Sequence, residues 1–169
     1  MVDSTIRSGL LELVTGPMFA GKTELLLQRL WAAEASGKKA VAVKPRIDTR
    51  WPGEIVSHSG ARRAAVALGD DGELLELVER YDVVGIDEAQ FFARRFADVI
   101  GELRQARHVV IAALDLDFRG DSFPVVPALV EEADVVHRLT ATCGSCGARA
   151  SARSGDPPNR KETRNSSRS

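Results

Sequence analysis

Residues 16–23 read Gly16-Pro17-Met18-Phe19-Ala20-Gly21-Lys22-Thr23, and this octapeptide decides the fold. It fits G-x-x-x-x-G-K-[ST], a loop that wraps backbone N–H groups around phosphate oxygens. Its glycines let the chain turn tightly and approach the anion closely. The Lys22 ammonium is expected to reach the outer phosphates, and the Thr23 hydroxyl to ligate Mg²⁺. A helix beginning near Lys22 aims its positive end at the same anion. The flanks agree. Leu11-Glu12-Leu13-Val14 is a short strand. From Thr23 a helical pattern follows, with Leu26, Leu27 and Leu30 on one face and Gly37 as a stop.

Outward from this loop, strands and helices alternate. Lys39–Val43 reads as a strand ended by Pro45. The segment Ile47–Leu68 is irregular; Ile55–His58 and Arg63–Leu68 could pair as a hairpin around Ser59-Gly60. Asp71 is expected to cap a helix through Arg80 that carries Leu74, Leu75 and Val78. Val83–Ile86 and Val109–Leu114 are apolar runs too short for helices and read as buried strands. Ala93–Gln105 carries Phe96, Ile100 and Leu103 at helical spacing. Val125–Glu132 is a short helix, and Val135–Leu139 a last strand. Near-continuous apolar strands between amphipathic helices predict an α/β fold with a mostly parallel sheet covered on both faces.

The 169 residues fit one domain with a real core. Lys+Arg is 23 against Asp+Glu 24, for a net charge of −1. That balance argues against nucleic-acid or anionic-membrane binding, both of which need a basic surplus. No run of apolar residues is long enough to span a membrane, and Met1–Gly9 lacks the apolar core of a signal peptide. Two cysteines, Cys143 and Cys146, form a single C-x-x-C, which suggests metal or redox chemistry in a reducing compartment, the cytoplasm.

A second chemical signal is Val83-Val84-Gly85-Ile86-Asp87-Glu88. An apolar strand delivers two carboxylates to its C-terminal end. Beside a phosphate loop, one acid there holds Mg²⁺ and a neighbour can serve as general base. Successive strand side chains point opposite ways, so the two acids are expected to do different work.

Taken in order, GPMFAGKT (16–23), Lys44-Pro45 with Ile47-Asp48-Thr49-Arg50, Val56–Gly60, IDEAQFF (86–92), LDLDFRG (114–120) with Phe123, and LTATCGSCG (139–147) resemble the thymidine kinase family, its bacterial members in particular. The resemblance covers roughly residues 10–150. It implies a P-loop NTPase core of the RecA-like type over 10–140, preceded by a flexible 1–9. It implies phosphoryl transfer from ATP to the thymidine 5′-hydroxyl, with Mg²⁺, and a homotetramer. Glu88 is then the catalytic base, and Asp87 lies beside the metal with Thr23. The loop 16–23, Asp48, Thr49, Arg50 and Gln90 line the nucleotide site. Met18, Phe91, Leu114, Phe118 and Phe123 wall the thymine pocket. The residue types suit that task, because a flat apolar base needs aromatic or aliphatic walls. Phe92 and Phe96 read as packing residues, and His58 as structural. For Arg50, phosphoryl neutralisation and a surface salt bridge both stay open.

The C-terminus departs from the family pattern. Family members continue past the C-x-x-C with a second C-x-x-C or C-x-x-H pair, completing a structural Zn²⁺ site, and with a lasso that grips the thymine edge. Here residues 141–152 are a truncated zinc-ribbon-like remnant. A structural site wants four protein ligands, and no Cys or His follows Cys146. Zinc is therefore absent, weakly held or shared between subunits. Residues 153–169 hold no residue of the hydrophobic set and read as disordered. The alternatives are an ATP-binding, catalytically impaired relative without the lasso, and a P-loop kinase for another nucleoside.

Overall fold

The computed structural model describes residues 9–142 and the backbone of 149–150. Cys143, Cys146 and the tail 153–169 lie outside the described residues, as do 1–8. In chain order the elements are β1 (Leu11–Gly16), α1 (Lys22–Ala35), β2 (Ala40–Pro45), β3 (Glu54–Val56), β4 (Arg62–Ala64), β5 (Val66–Leu68), α2 (Asp71–Val78), β6 (Val83–Ile86), a 3₁₀ turn (Ala89–Phe91), α3 (Phe96–Leu103), β7 (His108–Leu114), α4 (Val125–Glu132), β8 (Val135–Arg138), β9 (Ala141–Thr142) and β10 (Arg149–Ala150).

Six strands form one sheet in the order β5-β2-β6-β7-β1-β8, with every pairing parallel. Helix α1 covers one face, where Leu26, Leu27, Leu30 and Ala33 pack on Val14, Ala42, Val83, Val110 and Ala112. Helices α2, α3 and α4 cover the other, meeting Leu11, Leu13, Val43, Ile86, Val109 and Ile111. The central strands are buried on both sides, which is why they read as near-continuous apolar runs, interrupted by Glu12 in β1 and Lys44 in β2. At Gly85 an added Cβ would lie 2.7 Å from Leu30 Cδ1, so glycine lets α1 sit close over β6. This architecture is the expected α/β, P-loop-type core.

Helices α2 and α3 end two residues before the expected Arg80 and Gln105, at Val78 and Leu103, and three further details differ. Asp70, not Asp71, is the N-cap of α2; its carboxylate accepts from the N–H groups of Gly72 and Glu73. The hairpin pairs Glu54–Val56 with Arg62–Ala64 only, because Val66–Leu68 instead joins the main sheet beside β2. Helix α3 starts at Phe96, since the preceding residues make i→i+3 turns (Phe96 N to Ala93 O, Ala97 N to Arg94 O).

Two charged residues are buried within strands, Glu12 on β1 and Lys44 on β2. Glu12 on β1 accepts from His108 Nε2 (2.9 Å), His137 Nε2 (2.8 Å) and Arg29 Nε (3.1 Å). An ionised carboxylate only accepts, so both imidazole nitrogens facing it carry their protons. Burial alone would raise this carboxyl. The histidine hydrogen bonds and the Arg29 charge outweigh it and hold Glu12 at about 2 rather than 4.5. A folded value below the unfolded one stabilises the protein above the unfolded value, and that stability is lost as pH falls through the folded value. Urea unfolding should therefore show wild-type stability falling between about pH 4.5 and 2, and a flatter profile for Glu12→Gln. Equal slopes in that window would remove Glu12 as the cause.

Candidate active site

Because the sheet is parallel, β1, β2, β6 and β7 end at the same edge, and the four loops leaving them carry the sequence-predicted site residues. Ligands of open α/β sheets bind at that edge. Here the loops border a cavity of about 970 Å³. That is at the upper end of the ~300–1,000 Å³ typical of one small ligand, so it has room for a nucleotide and a second, smaller molecule.

The phosphate loop leaves β1 through Gly16, at φ 151°, where an added Cβ would stand 2.5 Å from the Leu139 carbonyl oxygen. That carbonyl cannot retreat easily, since Leu139 N is itself hydrogen-bonded to Thr15 O at 2.8 Å. Phe19 (φ 62°) and Gly21 (φ 90°) are left-handed. Alternating handedness turns successive N–H groups toward one point, a backbone nest for an anion. Gly21 is also the N-cap of α1, and no side chain caps that end. The free N–H groups there face an incoming ligand. Lys22 Nζ rests on the Pro17 carbonyl at 2.5 Å. Burial lowers the Lys22 ammonium, with the charges of Glu88, Asp115 and Asp87 opposing.

Asp87 follows β6 and continues the sheet for one more bond, its N–H donating to Val43 O at 2.9 Å. Its carboxylate is buried and accepts from Thr23 Oγ1 at 3.2 and 3.3 Å. Burial and the neighbouring Glu88 charge raise Asp87 to about 7. A buried carboxylate pushed toward its neutral form lacks positive charge, and a divalent cation supplies it. The Thr23–Asp87 pair therefore fits Mg²⁺, which takes one or two carboxylates and fills its remaining positions with phosphate oxygens and water. Among the described residues no group of three His, Cys, Asp or Glu could hold a metal by itself.

Glu88 then turns left-handed (φ 53°, ψ 37°). Non-glycine residues rarely adopt that conformation, and it costs about 1–3 kcal/mol. The turn, rather than the strand pleat, is what separates the two acids. Arg50 Nη2 donates to Glu88 Oε1 at 2.5 Å, and Gln90 Nε2 donates to Oε2 at 2.5 Å. Gln90 is buried and does not line the cavity; its Oε1 accepts from Leu114 N at 3.1 Å. Arg50 also bonds Asp48 Oδ1 through Nε at 2.8 Å. Bonding to Asp48, opposed by burial and helped by Glu88, raises the Arg50 guanidinium.

Met18, Phe91, Leu114, Phe118 and Phe123 all border the cavity, as do Asp48, Thr49, Arg50, Asp87 and Glu88. Phe91 and Phe123 meet edge to face, with ring centroids 6.4 Å apart. Phe91 and Phe118 are exposed. Gly16, Pro17 and Ala20 shape the loop without lining the cavity. Phe92 and Phe96 stack on each other at 4.1 Å against the core. His58 lies at the cavity wall with its ring 5.0 Å from Phe19. Glu24, Ile47, Trp51, Asp117 and the β3 residues Glu54–Val56 also line the cavity, none of them singled out for a ligand from the sequence. A tryptophan directly after the Asp48–Arg50 motif was the one available hint.

The sequence profile of the thymidine kinase family matches residues 9–162. That match runs past Gly147, where the quoted motifs end. The thymidine kinase of Coprothermobacter proteolyticus is 46% identical over 143 residues, covering 83% of this chain and 72% of the relative. The Deinococcus radiodurans thymidine kinase is 42% identical over 163 residues, covering 89% and 77%. The Thermococcus kodakarensis thymidine kinase is 41% identical over 147 residues, covering 82% and 75%. A profile match across most of the chain, relatives at this identity, and a phosphate loop facing paired carboxylates agree, and the chain belongs to the thymidine kinase family.

Proposed function

We propose that this protein transfers the γ-phosphoryl group of ATP to the 5′-hydroxyl of thymidine, producing dTMP and ADP. One observation carries the reading: Glu88 borders the same cavity as the phosphate loop and the apolar wall of Met18, Phe91, Leu114, Phe118 and Phe123. Base, donor site and acceptor site are thus contiguous.

The triphosphate lies on the nest of residues 16–23, with Lys22 released from Pro17 to the outer phosphates. The thymine ring packs between the aromatic and aliphatic walls, which brings its 5′-hydroxyl toward Glu88. Glu88 accepts the hydroxyl proton as the new P–O bond forms and the bond to the β–γ bridging oxygen breaks. Both its carboxylate oxygens carry one protein hydrogen bond, yet a carboxylate offers about four lone-pair sites, so acceptor capacity remains. Arg50, already beside Glu88, is placed to offset charge at the transferring group. Bound Mg²⁺ would neutralise phosphate charge next to Thr23 and Asp87.

The family resemblance also supports a cytoplasmic homotetramer, with Cys143 and Cys146 as candidate zinc ligands. Among the described residues no helix is long and apolar enough to cross a membrane.

The test is acceptor choice. At saturating Mg·ATP, purified protein is offered thymidine, deoxycytidine or no nucleoside, and products are identified by mass. Thymidine should give dTMP in clear excess over any deoxycytidine product, and Lys22→Ala should give none. Preferential deoxycytidine phosphorylation would overturn the assignment of the acceptor.

A further inference from the structure

Lys44 is among the largest fully buried side chains of the protein, 1% exposed at the C-terminal end of β2. Burying an ammonium costs several kcal/mol unless it finds partners. Lys44 Nζ has two: the Trp51 carbonyl at 2.5 Å and Asp48 Oδ2 at 3.7 Å. Both lie in the loop that leaves β2, so one buried cation holds that loop at two points. Asp48 is itself nearly buried, its side chain 7% exposed, and its other oxygen accepts from Arg50 Nε at 2.8 Å. Arg50 reaches Glu88 Oε1 at 2.5 Å. The result is one continuous line of alternating charge: Lys44, Asp48, Arg50, Glu88.

We propose that Lys44 is a positioning residue for phosphoryl transfer, acting on Glu88 through Asp48 and Arg50. The inference rests on the phosphotransfer reading for its kinetic consequence, but not for its geometry. Arg50 is half exposed, at 56% for its side chain. A long exposed side chain loses considerable entropy when held in one geometry. Asp48 restrains it, and Lys44 fixes Asp48. Gln90 restrains the second Glu88 oxygen from the β7 side. The carboxylate is therefore held from two directions, and Lys44 is the buried end of one of them.

Lys44→Met keeps the apolar stem and removes the ammonium. Thymidine turnover by Lys44→Met should fall about 10–100-fold, the effect of displacing a reacting group by about an ångström. The KM for thymidine should stay near the wild-type value. In an Arg50→Ala background the same substitution should change kcat by less than about twofold, the resolution of a double-mutant cycle. Effects of Lys44→Met and Arg50→Ala that simply multiply, or a loss confined to KM or thermal stability, would overturn the proposal. If Lys44→Met does not fold, Asp48→Asn replaces it: the amide keeps an acceptor for Arg50 but turns a donor toward Lys44. An unchanged kcat in that variant would be equally damaging. A crystal structure of whichever variant folds decides the geometry independently of turnover. Arg50 withdrawn from Glu88 is expected, and Arg50 still within hydrogen-bond distance contradicts the proposal. Absence of thymidine-dependent transfer in the wild type would refute the phosphotransfer reading alone, leaving this structural arm to judge Lys44.

Discussion

Glu88→Gln should lower thymidine phosphorylation by about 10²–10⁴-fold, the usual worth of a positioned general base, while leaving ATP binding intact. The amide cannot take up the hydroxyl proton. Its effect on structure is also set by the hydrogen bonds at the site. One Glu88 oxygen faces the Arg50 guanidinium and the other the Gln90 amide N–H₂. Gln90 cannot flip to help, because its oxygen is committed to Leu114 N. Glutamine at 88 therefore turns its own N–H₂ against a donor in either orientation. Glu88 is 19% exposed at the cavity and Arg50 is more than half exposed, so the unmet donor can turn to water. The variant should lose only about 1 kcal/mol of stability, the low end for an unmet polar group, measurable by urea unfolding. Turnover near the wild-type rate would refute the role of Glu88. Unchanged stability would show that the two donors do not constrain it.

Gly16→Ala should unfold the phosphate site. The new methyl group would meet the Leu139 carbonyl oxygen at 2.5 Å, well inside contact distance, at a φ of 151° that side chains rarely adopt. Relief requires β1 and the residues after β8 to separate, although Leu139 N and Thr15 O are bonded there. Backbone strain and overpacking together are expected to cost about 2–4 kcal/mol, and ATP affinity should fall with them. Gly21→Ala is the comparison. Its φ is 90°, but nothing lies within 4 Å of an added Cβ, so only the left-handed penalty of about 1–2 kcal/mol applies. Thermal unfolding of both variants, with and without Mg·ATP, measures this. Equal losses at the two glycines would mean that contact with Leu139 is not what requires glycine at 16.

The elements nearest the chemistry were the most legible in the sequence. β1, α1 and β6 are specified locally: an apolar run, a glycine turn, leucines at helical spacing, then a second apolar run closed by two acids. Helix Val125–Glu132 has the bounds its apolar spacing predicts. The hairpin was harder. Arg63–Leu68 reads as a single short run that is apolar after Arg63, yet Val66–Leu68 pairs with Val43–Pro45, some twenty residues upstream, and no local pattern encodes a parallel partner at that distance. The Ala93–Arg95 turn likewise carries the composition of a helix without its i→i+4 bonds.

At the site, motif spacing indicated which residues would meet but not what they would touch. Gln90 was grouped with the nucleotide site, and only the fold shows its amide bridging Glu88 and the end of β7. Lys44 stood in the sequence only as part of the Lys44-Pro45 motif, with no role of its own. Its burial arises because the loop 46–53 folds back over it, a tertiary event with no periodic signature. The different work of Asp87 and Glu88 was anticipated from strand alternation. The structure achieves it by a left-handed turn at Glu88 instead.

The most direct test of the account is a single-turnover reaction with γ-labelled ATP, Mg²⁺ and excess enzyme, quenched in acid and resolved by chromatography. Thymidine should carry the label into dTMP. 5′-Deoxythymidine, which lacks the accepting hydroxyl, should leave the label in ATP. Label released as inorganic phosphate at the same rate with either nucleoside would contradict transfer to the 5′-hydroxyl and make the cavity that of an ATPase.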